Sequence, residues 1–365
     1  MPGRIILFTG FPGFIGRRLV GRLLEDDPLA EVICLVLPRF VPEAERVIAR
    51  LLERPALSGA RLCCVAGDIT DPQLGLGGQY TSLASRISEV WHLAAIYDLA
   101  VPLDRARNVN VEGTRHVLNF CAACTGFHRL VYFSTLYVAG KRTGMIRETE
   151  LQQGQEFKNA YEATKFAAEV LVAEAMKRGL PAIVIRPGIV VGDSRSGETD
   201  KFDGPYYAFR LISLFRRLPM RLPRLGPSNA EVNIVPVDYL VEATIVLGRN
   251  PRTVGLTFQI VDPTALTAWE LYSQMCDLIT GRPAADYAIS PRVAERILEL
   301  PLVRRWIRVP SEAVVYFNHH AKFDSSNTLT HLEGAGIAIP VLREYLPRLY
   351  AYWLEHRRGG HRTPV

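Results

Sequence analysis

Tyr161 and Lys165 stand four residues apart, and Ser134-Thr135 precede Tyr161 by 27 and 26 residues. On a helix that spacing puts tyrosine and lysine one turn apart on one face. An ammonium so close to a phenol favours phenolate, and is expected to lower the tyrosine's pKa from its usual value of about 10. Such a tyrosine can give a proton to a carbonyl oxygen as hydride arrives, or take one in reverse. A hydroxyl from Ser134 or Thr135 would hold the same oxygen. Alone, Tyr-x-x-x-Lys also describes a core tyrosine beside a solvated lysine. The chemical reading needs a nucleotide site upstream.

The N-terminal stretch supplies one. Arg4-Ile-Ile-Leu-Phe-Thr9 reads as a buried strand that runs into Gly10-Phe-Pro-Gly13-Phe14-Ile15-Gly16 and then a helix from Arg17 to Leu24. Strand, glycine turn and helix are the setting a dinucleotide fingerprint requires. Gly10 permits the tight turn, Gly13 lets backbone approach the pyrophosphate, and Gly16 lets helix and sheet pack closely. The helix N-terminus adds N–H donors and partial positive charge for the phosphates. The second strand, Glu31–Leu37, ends in Pro38-Arg39, where an acidic residue would bind the ribose of NAD. Arg39, with Arg17 and Arg18 on the facing helix start, matches a 2′-phosphate in charge and fork geometry instead. NADP(H) is therefore favoured over NAD, against the plainer reading of a solvated arginine at a strand end.

Further strands are predicted at Leu62–Val65, Glu89–Leu93, Arg129–Phe133 and Ala182–Arg186, alternating with helices such as Asn108–Ala123. That alternation predicts an α/β fold with a doubly wound parallel sheet. After the third strand, Asp68-Ile69 would meet the adenine edge. Ala94 and Ala95, at the end of the fourth, are small enough for a cofactor to lie on the backbone. His92 reads as a packed strand histidine. Ser134-Thr135 fall at a strand's carboxyl end, where open sheets hold their chemistry. Past Gly192 the chain turns polar through Tyr207, then helical to Leu218. Asn233–Asp238 reads as a return to the sheet, and Thr257–Val261 as a further strand. Thr267-Ala-Trp-Glu270 is a capping box, and helical pieces at Val293–Leu300 and Leu342–His356 follow. The expected division is a cofactor-binding domain over 1–191 and 233–262, a smaller, mostly helical substrate-binding cap over 192–232 and 263–358, and a flexible tail at 359–365.

With 365 residues, 48% of them hydrophobic, the chain can bury a large core. Its net charge of +6 comes without a clustered basic run, which suits phosphate-bearing ligands and argues against nucleic acid. Cys121-Ala-Ala-Cys124 has no second pair, so core thiols in a reducing compartment are expected, and no metal. The N-terminus reads as strand and turn rather than a leader. No run approaches the roughly 18–20 apolar residues of a membrane span, so a cytoplasmic location is expected. Arg210, Arg216, Arg217, Arg221 and Arg224, beside Leu211, Leu214, Phe215 and Leu218, leave a peripheral membrane contact open. They would equally suit a solvated face or a diphosphate.

Taken together, Gly10/Gly13/Gly16, Asp68-Ile69, His92-Leu-Ala-Ala95, Asn110-Val-Glu-Gly-Thr114, Ser134-Thr135, Tyr161-x-x-x-Lys165 and Arg186-Pro-Gly188 resemble the extended short-chain dehydrogenase/reductases over about residues 1–265. Phe11-Pro12, Gly192–Glu198, Asp203–Tyr207 and Phe323-Asp-Ser-Ser-Asn327 look like the subgroup that reduces acyl thioesters (male sterility-type NAD-binding). That subgroup comprises fatty acyl-CoA reductases and the terminal reductase domains of carboxylic acid reductases and peptide synthetases. The resemblance implies Tyr161 as proton donor, Lys165 as ligand of the nicotinamide ribose, and Ser134 or Thr135 polarising the carbonyl. It also implies Asn110 as a structural or relay residue, and Pro187 and Ile189 bordering the nicotinamide. The implied activity is NADPH-dependent reduction of an acyl-CoA or acyl carrier protein thioester to the aldehyde or on to the alcohol, in a chain of a family that forms homodimers. A sugar-nucleotide epimerase/dehydratase or a 3β-hydroxysteroid-type dehydrogenase would use the same catalytic set. A non-catalytic NADP sensor is argued against by the intact Tyr161/Lys165 pair.

Overall fold

Apolar runs become strands buried on both faces. The computed structural model describes residues 3–98, 100–216, 221–225, 229–289 and 319–357. Its main sheet has seven strands: Ile5–Thr9 (β1), Glu31–Val36 (β2), Arg61–Ala66 (β3), Glu89–His92 (β4), Arg129–Phe133 (β5), Ala182–Pro187 (β7) and Thr257–Ile260 (β11). Their order is β11-β7-β5-β4-β1-β2-β3, with every pair parallel. From β1 the chain winds outward one way through β2 and β3, then returns to β4 and winds the other way. The direction reverses between β1 and β4, where Thr9 pairs with His92. Open α/β sheets bind ligands in the crevice beyond that switch point.

Side-chain alternation fills two layers. Phe8, Val131, Phe133, Ile183 and Ile185 join a core with helices Phe14–Asp26 (α1) and Val237–Arg249 (α8). Leu7, Leu130, Tyr132, Ala182 and Val184 join the opposite core with Gly113–Ala123 (α5) and Ala160–Lys177 (α6). Val41–Leu52 (α2), Gln79–Ala84 (α3) and Leu103–Arg107 (α4) complete the wrapping. A third core unites Phe202 and Leu222 with Tyr206–Phe215 (α7), Ala268–Thr280 (α9) and Leu342–His356. The capping box at Thr267 forms as expected.

Two features depart from the sequence reading. Ile234–Pro236 (β10) does not rejoin the main sheet; it pairs with Ile189–Val191 (β8). The reason lies in β7, whose sheet edge is taken by β11. The chain turns at Gly188 and offers a new edge as β8, with Ile189 N donating to the Asn233 carbonyl at 2.8 Å. The second departure is Ala321–Phe323 (β13), which pairs with Gly144–Ile146 (β6). The following helix, Ser326–Leu332, packs on β11, and its Leu332 joins the main core. This part of 263–358 therefore belongs to the sheet layer rather than the cap. A further short pair joins Arg224–Leu225 (β9) to Ala288–Ile289 (β12). The helix expected at Val293–Leu300, Leu218, Arg217 and the tail lie outside the described residues. Among the described residues no helix is long and apolar enough to cross a membrane.

Candidate active site

The turn after β1 is shaped by what its glycines lack. Gly10 has φ +91°, a left-handed conformation, and a Cβ there would stand 2.8 Å from Leu93 Cβ. A Cβ on Gly16 would stand 2.3 Å from the Gly10 carbonyl oxygen, so helix and turn meet as bare backbone. Gly13 N donates to that same carbonyl at 3.1 Å, and Phe14 and Ile15 open α1. Across the switch, the Thr9 hydroxyl accepts from Ala94 N at 3.1 Å and meets His92 Nδ1 at 2.7 Å. His92 Nε2 meets the Thr114 hydroxyl at 3.1 Å. Burial, then the nearby Lys165 charge, pushes His92 down to about 3, so it is a neutral packed histidine as the sequence suggested. Ala94 and Ala95 are half-buried on the crevice edge. This bare-backbone cradle at a helix N-terminus fits a dinucleotide.

Around the cradle, Asp68 folds on itself: Oδ1 accepts from Thr70 N at 2.8 Å and Thr70 Oγ1 at 2.7 Å. Ile69 is buried, with its carbonyl at 2.9 Å from His116 Nδ1. Pro187 ends β7 and Ile189 begins β8. Arg39 is exposed, stacks its guanidinium 4.7 Å over Phe40, and has no carboxylate partner among the described residues. Arg17 and Arg18 are different. Arg17 grips Asp200 through two nitrogens and reaches Glu198 at 3.2 Å, while Arg18 reaches Glu198 at 2.9 Å. In this arrangement the loop after β8 pairs both arginines that the sequence reading had set opposite a 2′-phosphate.

The catalytic set gathers where α6 begins. Asn159 caps it, its side chain accepting from Glu162 N at 2.9 Å. Tyr161 is buried and hydrogen-bonds the Thr135 hydroxyl. Burial pushes its phenol well up, which the Thr135 bond partly opposes. Lys165 does not lower it. The desolvated ammonium instead donates to the Phe133 carbonyl at 2.6 Å and Tyr132 Oη at 3.2 Å. The expected lysine–phenol coupling is therefore not present in this arrangement. Ser134 separates from Thr135: it donates to Glu169, which Arg186 clasps at 2.6 and 2.9 Å. Asn110 lies in a π-turn, Asn108–Glu112, of the kind often found at functional sites. Its Oδ1 accepts from Ile96 N at 2.8 Å and its Nδ2 donates to Thr164 Oγ1 at 3.1 Å, tying the loop after β4 to α6.

Sequence reasoning missed three contributors. Tyr97 sets its ring edge-to-face on Tyr161, 5.2 Å away at 85°, and Lys201 lies 4.9 Å over the Tyr97 ring. Glu169 follows Lys165 by one turn, a spacing that was readable. Glu148 accepts from Gln259 N, Asn327 N and Thr328 Oγ1 at 2.8, 2.6 and 2.8 Å. This accounts for the Phe323–Asn327 segment, which anchors the C-terminal part to the sheet. Cys121 and Cys124 are buried free thiols pushed upward by burial. No cluster of metal-ligating side chains occurs among the described residues.

Comparison with known proteins agrees with this geometry. The family model described as "Male sterility protein" matches residues 8–244. A nonribosomal peptide synthetase of Cladobotryum sp, FrzA, is 27% identical over 97% of this chain and 36% of its own. An aldehyde reductase of Aspergillus flavus, lnaA, is 25% identical over 98% of this chain and 36% of its own. The chain thus spans about a third of the length of these relatives. Among solved structures, the terminal R domain from the myxalamid PKS-NRPS biosynthetic pathway aligns with TM-score 0.81 and 27% identity, over 98% of this chain and 92% of that one. An epimerase fold from Bacillus cereus solved with NAD aligns with TM-score 0.64 at 19% identity. With the bare-backbone cradle at the sheet's switch point, these matches make the chain a member of the male sterility protein family, with the fold of the extended short-chain dehydrogenase/reductases.

Proposed function

We propose that this chain reduces acyl thioesters, carried on coenzyme A or an acyl carrier protein, to aldehydes with NADPH as reductant. The observation that carries the reading is the Tyr161–Thr135 hydroxyl pair at the carboxyl end of β5, in a chain that aligns along nearly its whole length with a terminal reductase domain. Gly10, Gly13 and Gly16 with the start of α1 would hold the pyrophosphate, Arg39 a 2′-phosphate, and Pro187 and Ile189 the nicotinamide side. A nicotinamide held there would supply hydride to the carbonyl carbon. Tyr161, protonated in its buried place, gives its proton to the carbonyl oxygen, while Thr135 donates to the same oxygen as charge develops. Collapse of the resulting hemithioacetal breaks the C–S bond and releases thiol and aldehyde. Tyr97 shields the phenol from water. Residues 192–216, 229–232 and 263–289 would form the acyl-facing cap.

The test is NADPH oxidation with a panel of acyl-CoAs and acyl-loaded carrier protein, run beside UDP-sugars and ketones, with products identified by mass. Aldehyde from a thioester is the expected result, and the count of one or two NADPH separates aldehyde from alcohol as end product. Conversion of a sugar nucleotide or ketone alone would overturn the substrate.

Two variants divide the roles further. Thr135→Ala should cost about 10²–10³ in kcat, the usual effect of removing one donor from a developing oxyanion. Ser134→Ala should keep kcat within about tenfold, and lower stability by about 1–3 kcal/mol, because Glu169 loses a buried donor. Equal losses of kcat would refute the division. Arg39→Glu should weaken NADPH about 10–100-fold and leave NADH within a few-fold, measured by titrating cofactor fluorescence.

A further inference from the structure

Lys165 has an unusual environment for a cation. It is buried, and its hydrogen-bond partners are neutral: the Phe133 carbonyl at 2.6 Å and Tyr132 Oη at 3.2 Å, with the Tyr132 ring centroid 4.7 Å away. No carboxylate lies within ion-pair distance among the described residues. Tyr161 and Glu169 share its helix, Tyr132 faces it from β5, and on β4 His92 feels its charge and is kept neutral. Removing a bare ammonium from water is expensive unless a negative charge answers it. Among the described residues the formal negative charge acting on Lys165 is Glu169, a helical turn away on the same face.

Glu169 is itself fixed. Arg186 donates to it from Nε at 2.9 Å and Nη2 at 2.6 Å, and Ser134 Oγ donates to its other oxygen. The Arg186 guanidinium is further anchored on the Glu150 carbonyl at 2.9 Å. Such a clamp locks the carboxylate's rotamer without bringing it into hydrogen-bond contact with Lys165 or with Tyr161.

We propose that Glu169 is a positioning residue for Lys165: held by Arg186 and Ser134, its carboxylate is the counter-charge to the buried Lys165 ammonium, which it leaves bound to the Phe133 carbonyl. The catalytic part of this inference rests on the function proposed above; the electrostatic part does not. Burial lowers Lys165 to about 8, with Glu169 opposing the fall, so the ammonium persists below that pH and is lost above it. Without Glu169 the loss moves to lower pH.

The decisive measurement is a titration of the Lys165 side chain by NMR in cofactor-free, ¹³C-lysine-labelled protein, assigned by Lys165→Met. Glu169→Gln should move the midpoint down by about one pH unit or more. Because that variant leaves Arg186 buried and unpaired, Glu169→Gln/Arg186→Met, which removes both charges, is measured beside it and should show the same downward direction. Glu169→Asp should restore the midpoint most of the way. An unchanged midpoint in either folded glutamine variant would overturn the proposal. The NADPH dissociation constant, followed across pH, separates the two readings. A midpoint that moves in the NMR titration but leaves NADPH binding untouched supports the counter-charge and removes Lys165 from the cofactor site.

Discussion

Tyr161→Phe should lower kcat/KM for thioester reduction by about 10²–10⁴-fold while NADPH affinity stays within a few-fold. The substitution deletes one oxygen and keeps the ring, so the edge-to-face contact with Tyr97 at 5.2 Å and the burial under it are retained. What disappears is the proton that Thr135 helps orient. Because burial raises the phenol, Tyr161 stays protonated through neutral and mildly alkaline pH. On the proposed function it would act as an acid and set no limb of the pH profile there. A fall in rate as pH rises through about 8 would then report deprotonation of Lys165. Steady-state kinetics from pH 6 to 10, with cofactor binding measured separately, check both statements. Unchanged turnover in Tyr161→Phe would remove the phenol as donor, and would favour a chain that binds nicotinamide without using this tyrosine.

Local features of the fold were legible because local rules write them. Apolar runs of four to six residues between turns became the strands β1, β2, β4, β5 and β7 with ends within about two residues. The glycine turn was readable from three residues whose missing side chains have a steric consequence. Where the reading stopped, the missing information was non-local. Ser134 and Thr135 are chemically alike and adjacent, and only the extended backbone, which sends neighbours to opposite sides, delivers one to Glu169 and the other to Tyr161. Arg17 looked available to a phosphate because its partners, Glu198 and Asp200, lie more than 180 residues away in sequence. The same distance hid Glu148, a carboxylate in an unremarked turn that organises Asn327 and Thr328. Lys165 departed from expectation for a different reason: helical spacing sets which face a side chain shares, but a desolvated ammonium goes to the nearest strong acceptor, here the Phe133 carbonyl.

A pair of glycine substitutions on one helix should have opposite outcomes. Gly16→Ala should weaken NADPH binding about 10–100-fold, and Gly21→Ala should leave it unchanged. Both residues are helical and buried in α1, so alanine is intrinsically favoured at each by up to about 1 kcal/mol. The difference lies in what the new methyl meets. At Gly16 it would stand 2.3 Å from the Gly10 oxygen and 3.3 Å from Phe8. That oxygen is backbone, in a residue held at φ +91° against Leu93 and Ala94, so the turn cannot yield without opening the cradle. Overpacking of this kind costs about 1–3 kcal/mol, or about a factor of ten per 1.4 kcal/mol if it falls on the binding conformation. At Gly21 the methyl would meet Arg54 Nη1 at 3.0 Å and Leu51 Cδ2 at 3.4 Å, both ends of side chains that can rotate away. Gly21→Ala is therefore expected to match or exceed the parent in thermal stability. Cofactor titration and thermal unfolding of the two variants decide the matter: equal NADPH affinities would mean that the approach of α1 to the Gly10 carbonyl does not shape the dinucleotide site.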